Sequence, residues 1–139
     1  MLALQDVFDK RDDNVFKAAS GLHGGIGGTH DVCGSLLGAS MMLGLMCGGG
    51  PEETDNLEKN NDSTRLVSQL YKWFKKEFGS VKCRIICARF EREINNETDA
   101  PGQGEPSMEA KLHAKCDVLA AKTSARTAEM LWDNMEKEK

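Results

Sequence analysis

The sequence has no basic patch and no long unbroken apolar run, and each absence excludes a class of protein. Its 139 residues include 18 Lys and Arg against 22 Asp and Glu, a formal net charge of −4. A nucleic-acid surface needs clustered cations, so no nucleic-acid partner is expected. The longest apolar run, residues 32–47, is interrupted by glycine, and it is too short for a membrane span. A polar segment precedes this run, so it is not a signal peptide; we expect a cytoplasmic protein with no membrane partner.

The sequence also lacks a convincing alternating run of β-branched residues, so a sheet is not expected. Helical spacing is clear instead, because apolar residues recur every three or four positions from Leu66 to Phe78, before a natural C-terminal cap at Gly79. Chain length and composition fit one domain, residues 1–139. We predict an all-α protein, a compact bundle of four to five helices with a glycine-rich loop before the central helix. Residues 92–106 are predicted to be a linker, and residues 133–139 a frayed helix end.

Glycine is concentrated around one thiol: eleven of the 14 glycines lie between residues 21 and 50, on both sides of Cys33. A helix from about residue 31 to 47, capped by Asp31 or Thr29, places Cys33 in its first turn. Unpaired N–H groups and the helix dipole favour a thiolate there. Within this helix, close packing against a neighbouring helix is a sufficient reason for Gly38 and Gly44, but it does not explain the loop.

Five cysteines are more than a domain in a reducing compartment usually carries, and an odd number cannot all pair within the chain. Such a set indicates metal binding or redox chemistry, although a free cysteine can also be a small core residue. Cys47 lies about 21 Å from Cys33 if the helix between them is intact, so it is predicted to be a core residue at the helix end. Cys83 and Cys87 lie one helical turn apart, and Cys116 follows on the last helix. Their spacings match no compact zinc or ferredoxin pattern.

Three stretches together carry a family resemblance: "HGGIGGTHDVCGSLLG", "FGSVKCR" and "CDVLAAK". They resemble the redox-active four-cysteine family with the signature Cys-Gly-Ala-x-x-Gly, whose domain is also similar to part of the split-Soret cytochromes c. By position, Cys33, Cys83 and Cys116 match the second, third and fourth family cysteines. The family's first cysteine is expected a few residues before Leu2. Either an N-terminal segment is missing here, or this member uses three family thiols, to which Cys87 could add a fourth.

The resemblance implies a redox-active or electron-transfer protein, without deciding whether it is an enzyme. In the first hypothesis an iron–sulfur cluster is bound by cysteines from separate helices, with a second protein as redox partner and a homodimer as a possible assembly. The metal ligands are then Cys33, Cys83 and Cys116, with Cys87 as the additional candidate. Five glycines are the expected cofactor contacts: Gly24, Gly25, Gly27, Gly28 and Gly34. Two alternatives stay open, a metal-free thiol–disulfide protein with Cys33 as nucleophile and a helical interaction subunit without redox chemistry.

Two further readings concern the loop itself. Its glycines could cradle a phosphate at the start of the helix, but no strand precedes the loop and no lysine stands at the P-loop spacing. His23 and His30 flank the loop and could ligate a metal or move protons near the thiols. A solvated loop histidine is the simpler interpretation of both.

Overall fold

Regular structure in the computed structural model, which describes residues 1–55, 57–97 and 106–137, is helical. Two 3-10 turns, Ser20–Leu22 and Pro51–Glu53, accompany the α-helices. In these ranges no strand forms, and the one β-type contact is an antiparallel bridge between Val32 and Lys82. The predicted all-α class is confirmed, with six α-helices rather than four to five. In chain order they are α1 (Leu2–Val7), α2 (Asp13–Ala19), α3 (Gly34–Cys47), α4 (Leu57–Phe78), α5 (Cys83–Glu97) and α6 (Met108–Lys137).

The core forms where α3 packs against α4 and α6, while α5 packs against α6. Most of the apolar stripe predicted on α4 is its buried face, since Leu66, Leu70, Phe74 and Phe78 are buried, whereas Tyr71 is exposed. Burial of these side chains is the main favourable contribution to folding. Among the described helices, none combines the length and the apolar character needed to cross a membrane. The largest buried apolar side chains are Leu4, Met42, Leu43, Leu70, Phe74 and Leu131.

The connection from α4 to α5 is tight and fully capped. Gly79 follows α4 with φ +73°, as its predicted role as C-terminal cap requires. Arg89 Nη1, from α5, donates a hydrogen bond of 2.9 Å to the Phe78 carbonyl, and Ser80 Oγ accepts one of 3.1 Å from the Lys82 amide. These contacts fix where α5 starts, and therefore where its cysteines lie.

Helix α3 begins later than predicted. Its first residue is Gly34, and Cys33 occupies the N-cap position, so Cys33 is not in the first turn of a helix starting near residue 31. Asp31 does not cap the helix, because its carboxylate lies 2.7 Å from Lys82 Nζ. No side chain caps α3.

The ends of α5 and α6 also differ from the prediction. Helix α5 continues to Glu97 and so occupies the start of the predicted linker 92–106, of which residues 98–105 lie outside the described residues. Helix α6 runs to Lys137, so residues 133–137 are not a frayed end; residues 138–139 are outside the description. The buried side chain of Asn134 accepts a 3.1 Å hydrogen bond from Arg65, which holds this last turn against α4.

Close helix packing does not explain the glycines inside α3. A Cβ built on Gly44, which is exposed, would meet nothing within 4 Å. At Gly38 it would meet the Met1 Cβ at 3.8 Å, an ordinary van der Waals contact. Within the described chain no second helix therefore approaches closely at Gly44, and the contact at Gly38 is an ordinary one; packing between two chains at these positions stays a prediction.

Candidate functional site: a thiol cluster beside a glycine turn

Two of the candidate thiols lie side by side at the start of α5. Cys83 is the first residue of this helix and Cys87 is one turn later, so both side chains lie on the same face. Their Sγ atoms are 3.8 Å apart. On its other side, Cys83 Sγ lies 3.8 Å from Nδ1 of His30, so of the two predicted loop histidines it is His30 that reaches this thiol.

Cys33 and Cys116 complete a cluster with this pair. Burial and the neighbouring thiols of Cys87, Cys33 and Cys116 raise the pKa of Cys83 to about 12. The pKa of Cys116 is raised to about 11, and burial is the largest cause. Charge repulsion from Cys87 and hydrogen bonding with it raise this pKa further, and charge repulsion from Cys33 and from Asp117 makes smaller contributions. Electrostatic influence of this kind links Cys33 and Cys116 to the pair. We call Cys33, Cys83, Cys87 and Cys116 the thiol cluster, in which the sulfurs of Cys83 and Cys87 are in contact.

The starts of α3 and α5 are joined by backbone hydrogen bonds, which we call the cysteine junction (residues 30–33 and 81–84). The Cys33 amide donates to the Val81 carbonyl at 2.9 Å, and the Cys83 amide donates to the Asp31 carbonyl at 2.6 Å. The Arg84 amide donates to the carbonyl of residue 30 at 2.9 Å. Amides that are usually unpaired at a helix start are thus satisfied by the chain itself.

An ion pair closes the same junction. Asp31 Oδ1 lies 2.7 Å from Lys82 Nζ and 3.8 Å from Arg84 Nη2. Because of these cations, the pKa of Asp31 is lowered. The sequence analysis did not predict this junction. The available signal was the carboxylate of Asp31 shortly before Cys33, together with two cations, Lys82 and Arg84, on either side of Cys83.

The loop before the junction is a left-handed turn. All residues from 24 to 28 have positive φ, between +60° and +76°, and they include Ile26 at +65°. Four of these residues are glycines, which adopt this conformation without strain, whereas a β-branched residue rarely does. Ile26 is 44% exposed. We call residues 24–28 the glycine turn.

The amides of this loop are already used within the chain. Those of residues 26–31 each donate to a backbone carbonyl between residues 21 and 26. These six amides are therefore not free to surround an anion, and the phosphate-cradle interpretation stays a prediction. The turn is instead a self-bonded support for the thiol cluster.

Two of the five predicted cofactor glycines are in close contact with the chain itself. A Cβ on Gly25 would lie 2.9 Å from the Cys83 Cβ and 3.0 Å from the Asp31 amide nitrogen. A Cβ on Gly34 would lie 2.8 Å from the Leu22 carbonyl oxygen. Both positions therefore have to be glycine for the turn to reach the cysteines.

The other three predicted cofactor glycines differ in their surroundings. A Cβ on Gly24 would lie 3.0 Å from the Gly28 Cα, so this position closes the turn on itself. Gly28 has open space where a Cβ would stand, and Gly27 would meet only the Gly21 carbonyl oxygen at 4.0 Å. Contact of the five glycines with a cofactor stays a prediction.

Cys47 stands apart from the cluster, as its predicted role requires. It is the last residue of α3, it is half-buried against the core, and its Sγ lies 4.0 Å from Asn134 Nδ2. The length of α3 separates it from Cys33 by about 21 Å. Cys47 is therefore a useful control for experiments on the thiol cluster.

The donor atoms of the cluster suit a thiophilic metal, but their present arrangement is not a finished site. Within the described residues, no group of three or more His, Cys, Asp or Glu side chains is placed so that it could hold a metal ion. The 3.8 Å between the sulfurs of Cys83 and Cys87 nevertheless equals the separation of two thiolates on one tetrahedral metal with bonds of about 2.3 Å. Binding would need the remaining thiols to turn toward this pair.

The fold and the site define a class: an all-helical protein in which two neighbouring cysteines at the start of a helix lie beside a left-handed glycine turn. Residues 1–130 match the family model described as "Putative redox-active protein (C_GCAxxG_C_C)". The chain belongs to this family, which confirms the resemblance seen in the sequence and supports a redox role. Searches of curated proteins and of solved structures found no match.

Proposed function

We propose that this protein is an electron-transfer protein in which Cys33, Cys83 and Cys116 hold an iron–sulfur cluster. The observation that supports the proposal is the pair of sulfurs of Cys83 and Cys87, 3.8 Å apart, together with the charge interactions that link this pair to Cys33 and Cys116. When bound, the cluster would supply reversible one-electron chemistry. The protein would bind it, exclude water from one side and present the other to a redox partner protein.

The electrostatics of the cluster favour a bound cation. Burial and mutual repulsion raise the pKa values of Cys83 and Cys116, so the free thiols are protonated at neutral pH. A metal ion offsets the charge of several adjacent thiolates, and the thiol protons are released to solvent as ligation proceeds. Crowded thiols of this kind are thus better suited to a metal than to staying free.

The cysteine junction supports the same proposal from the side of geometry. Backbone hydrogen bonds of 2.9 Å and 2.6 Å fix the main chain at Cys33 and Cys83. With the backbone held, only side-chain torsions need to change when a ligand binds, which lowers the ordering cost of assembling the site.

A second candidate function is thiol–disulfide exchange, favoured by the interaction of Cys87 with Cys116 that raises the pKa of Cys116. Oxidation would join their Sγ atoms by a bond of about 2.05 Å and release two protons. The two electrons would go to a disulfide of a partner, which would be reduced to two thiols. The cluster proposal is preferred because it uses all three helices.

Anaerobic reconstitution with iron and sulfide tests the proposal. Wild-type protein should gain visible absorption and bound iron and sulfide, whereas Cys33→Ser, Cys83→Ser and Cys116→Ser should each lose most of this. Cys47→Ala is the matched control and should reconstitute like the wild type. A colourless wild type that loses two titratable thiols on oxidation would instead support thiol exchange. If it shows neither property, a helical interaction subunit is the remaining hypothesis.

Compartment and assembly belong to the same proposal. Reduced thiols available for metal binding imply a reducing compartment, for which the cytoplasm is our proposal. A homodimer is proposed as one assembly that would cover the cluster further. The native mass of the reconstituted protein, compared with that of the apoprotein, tests it.

A further inference from the structure

We infer that Cys87 is a metal ligand and that it shares one metal atom with Cys83. The inference rests on the proposed function, because it concerns which thiols complete the same centre. It adds a residue outside the three thiols that align with the family signature.

Cys87 lies beside Cys83 on the same face of α5. Their sulfurs are 3.8 Å apart. A metal bound by Cys83 therefore has the sulfur of Cys87 within its reach.

The separation of the pair favours joint ligation over a disulfide. Two thiolates on one tetrahedral metal, with bonds of about 2.3 Å, stand roughly 3.8 Å apart. The observed separation needs no change to meet this value. A disulfide requires about 2.05 Å and a fixed torsion, for which cysteines one turn apart on a helix are poorly aimed.

The backbone of the pair is already rigid. The Cys83 amide is bonded to the Asp31 carbonyl at 2.6 Å, and the Ile86 amide, one residue before Cys87, is bonded to the Lys82 carbonyl at 3.1 Å. The two sulfurs are thus presented by one helical turn whose start is tied to the segment before α3. Ligation by both would release two protons and change no oxidation state.

Cobalt(II) titration of the reduced apoprotein under anaerobic conditions tests the inference, since the sulfur-to-cobalt absorption grows with the number of bound thiolates. We expect Cys87→Ser to lose a clear share of this absorption and to bind Co²⁺ at least about tenfold more weakly. Cys87→Ala should behave in the same way, and circular dichroism should show both variants to be folded. Cys47→Ala should keep wild-type absorption and affinity.

Wild-type absorption and affinity in folded Cys87→Ser or Cys87→Ala would overturn the inference, and so would a wild type that binds no Co²⁺. Failure of the proposed function is a separate result: a wild type that takes up neither iron nor sulfide on reconstitution. If the wild type reconstitutes and Cys87→Ser retains the same iron, sulfide and spectrum, the inference alone fails.

Discussion

The backbone amide of Cys83 donates a 2.6 Å hydrogen bond to the carbonyl of Asp31, so the first residue of α5 is bound to the segment that leads into α3. One cysteine of the thiol cluster is thereby positioned by the chain that carries another. Positions in the glycine turn, and the positions of the junction other than Cys33 and Cys83, should therefore affect the cluster as strongly as core residues do.

The two glycines with φ +76° offer a matched test of contact with Cys83. Gly28→Ala should lower the free energy of unfolding by about 1–2 kcal/mol, because it adds left-handed strain alone. Gly25→Ala adds the same strain plus overlap with the Cys83 Cβ at 2.9 Å, which typically costs about 1–3 kcal/mol more. Urea denaturation measures both, and equal losses would contradict the packing described for Gly25.

The glycines of α3 give opposite expectations at its two ends. Gly44→Ala should raise the free energy of unfolding by roughly 0.5–1 kcal/mol, because the site is open and alanine favours the helix. Gly34→Ala should lower it, since a Cβ would stand 2.8 Å from the Leu22 carbonyl oxygen. Thermal unfolding of the two variants beside the wild type checks the prediction. Destabilisation by Gly44→Ala would show that another molecule or segment packs there.

In the reduced, metal-free protein, Cys83 and Cys116 should resist alkylation at neutral pH. Their pKa values are raised to about 12 and about 11 from an ordinary 9.0, so the reactive thiolate is scarce. Cys87→Ser should lower both values, although burial would keep them above the ordinary one. Iodoacetamide rates at each residue against pH, followed by mass spectrometry, measure this.

The sign of the accompanying stability change follows from linkage. Because folding raises these two pKa values, their contribution to stability is complete below pH 9 and is lost as pH rises toward 11 and 12. Ordinary alkylation rates for Cys83 at pH 7 would contradict the buried, mutually repelling cluster.

The Asp31–Lys82 ion pair predicts a loss of folding stability at acid pH, which depends on the lowered pKa of Asp31. The pKa of Asp31 is lowered by the hydrogen bond and charge of Lys82 and by Arg84. Its stabilising effect is therefore present above its ordinary value of 3.8 and is lost as pH falls through the lowered value. NMR titration of the carboxyl carbon should show Lys82→Gln moving the pKa up toward 3.8. Lys122→Gln, which removes a partner of Glu77, should leave Asp31 unchanged.

Much of the fold followed from short-range patterns. The stripe from Leu66 to Phe78 and the cap at Gly79 were predictable because helix periodicity and capping depend on neighbours along the chain. The extension of α5 to Glu97 was not, since the polar residues there are typical of a linker. Burial of Asn134 depends on Arg65 of α4, a contact that no local pattern reports.

The site divides in the same way. The candidate thiols follow from residue type and from the family resemblance, and the contact between Cys83 and Cys87 was predictable from their one-turn spacing. The junction was not, because the hydrogen bonds from Cys33 to Val81 and from Cys83 to Asp31 join segments far apart in sequence. For the same reason the helix α3 starts at Gly34 and not near residue 31 as predicted, because Asp31 pairs with Lys82 instead of capping the helix.

Ile26 has a φ of +65°, and the glycines on both sides of it also have positive φ angles. Isoleucine by itself disfavours a positive φ. The handedness of the turn is thus imposed by the hydrogen bonds that close it and not by the preference of each residue. All of those hydrogen bonds lie within residues 21–31. The segment therefore brings its own shape to the cysteine junction instead of receiving it from the helices that it joins.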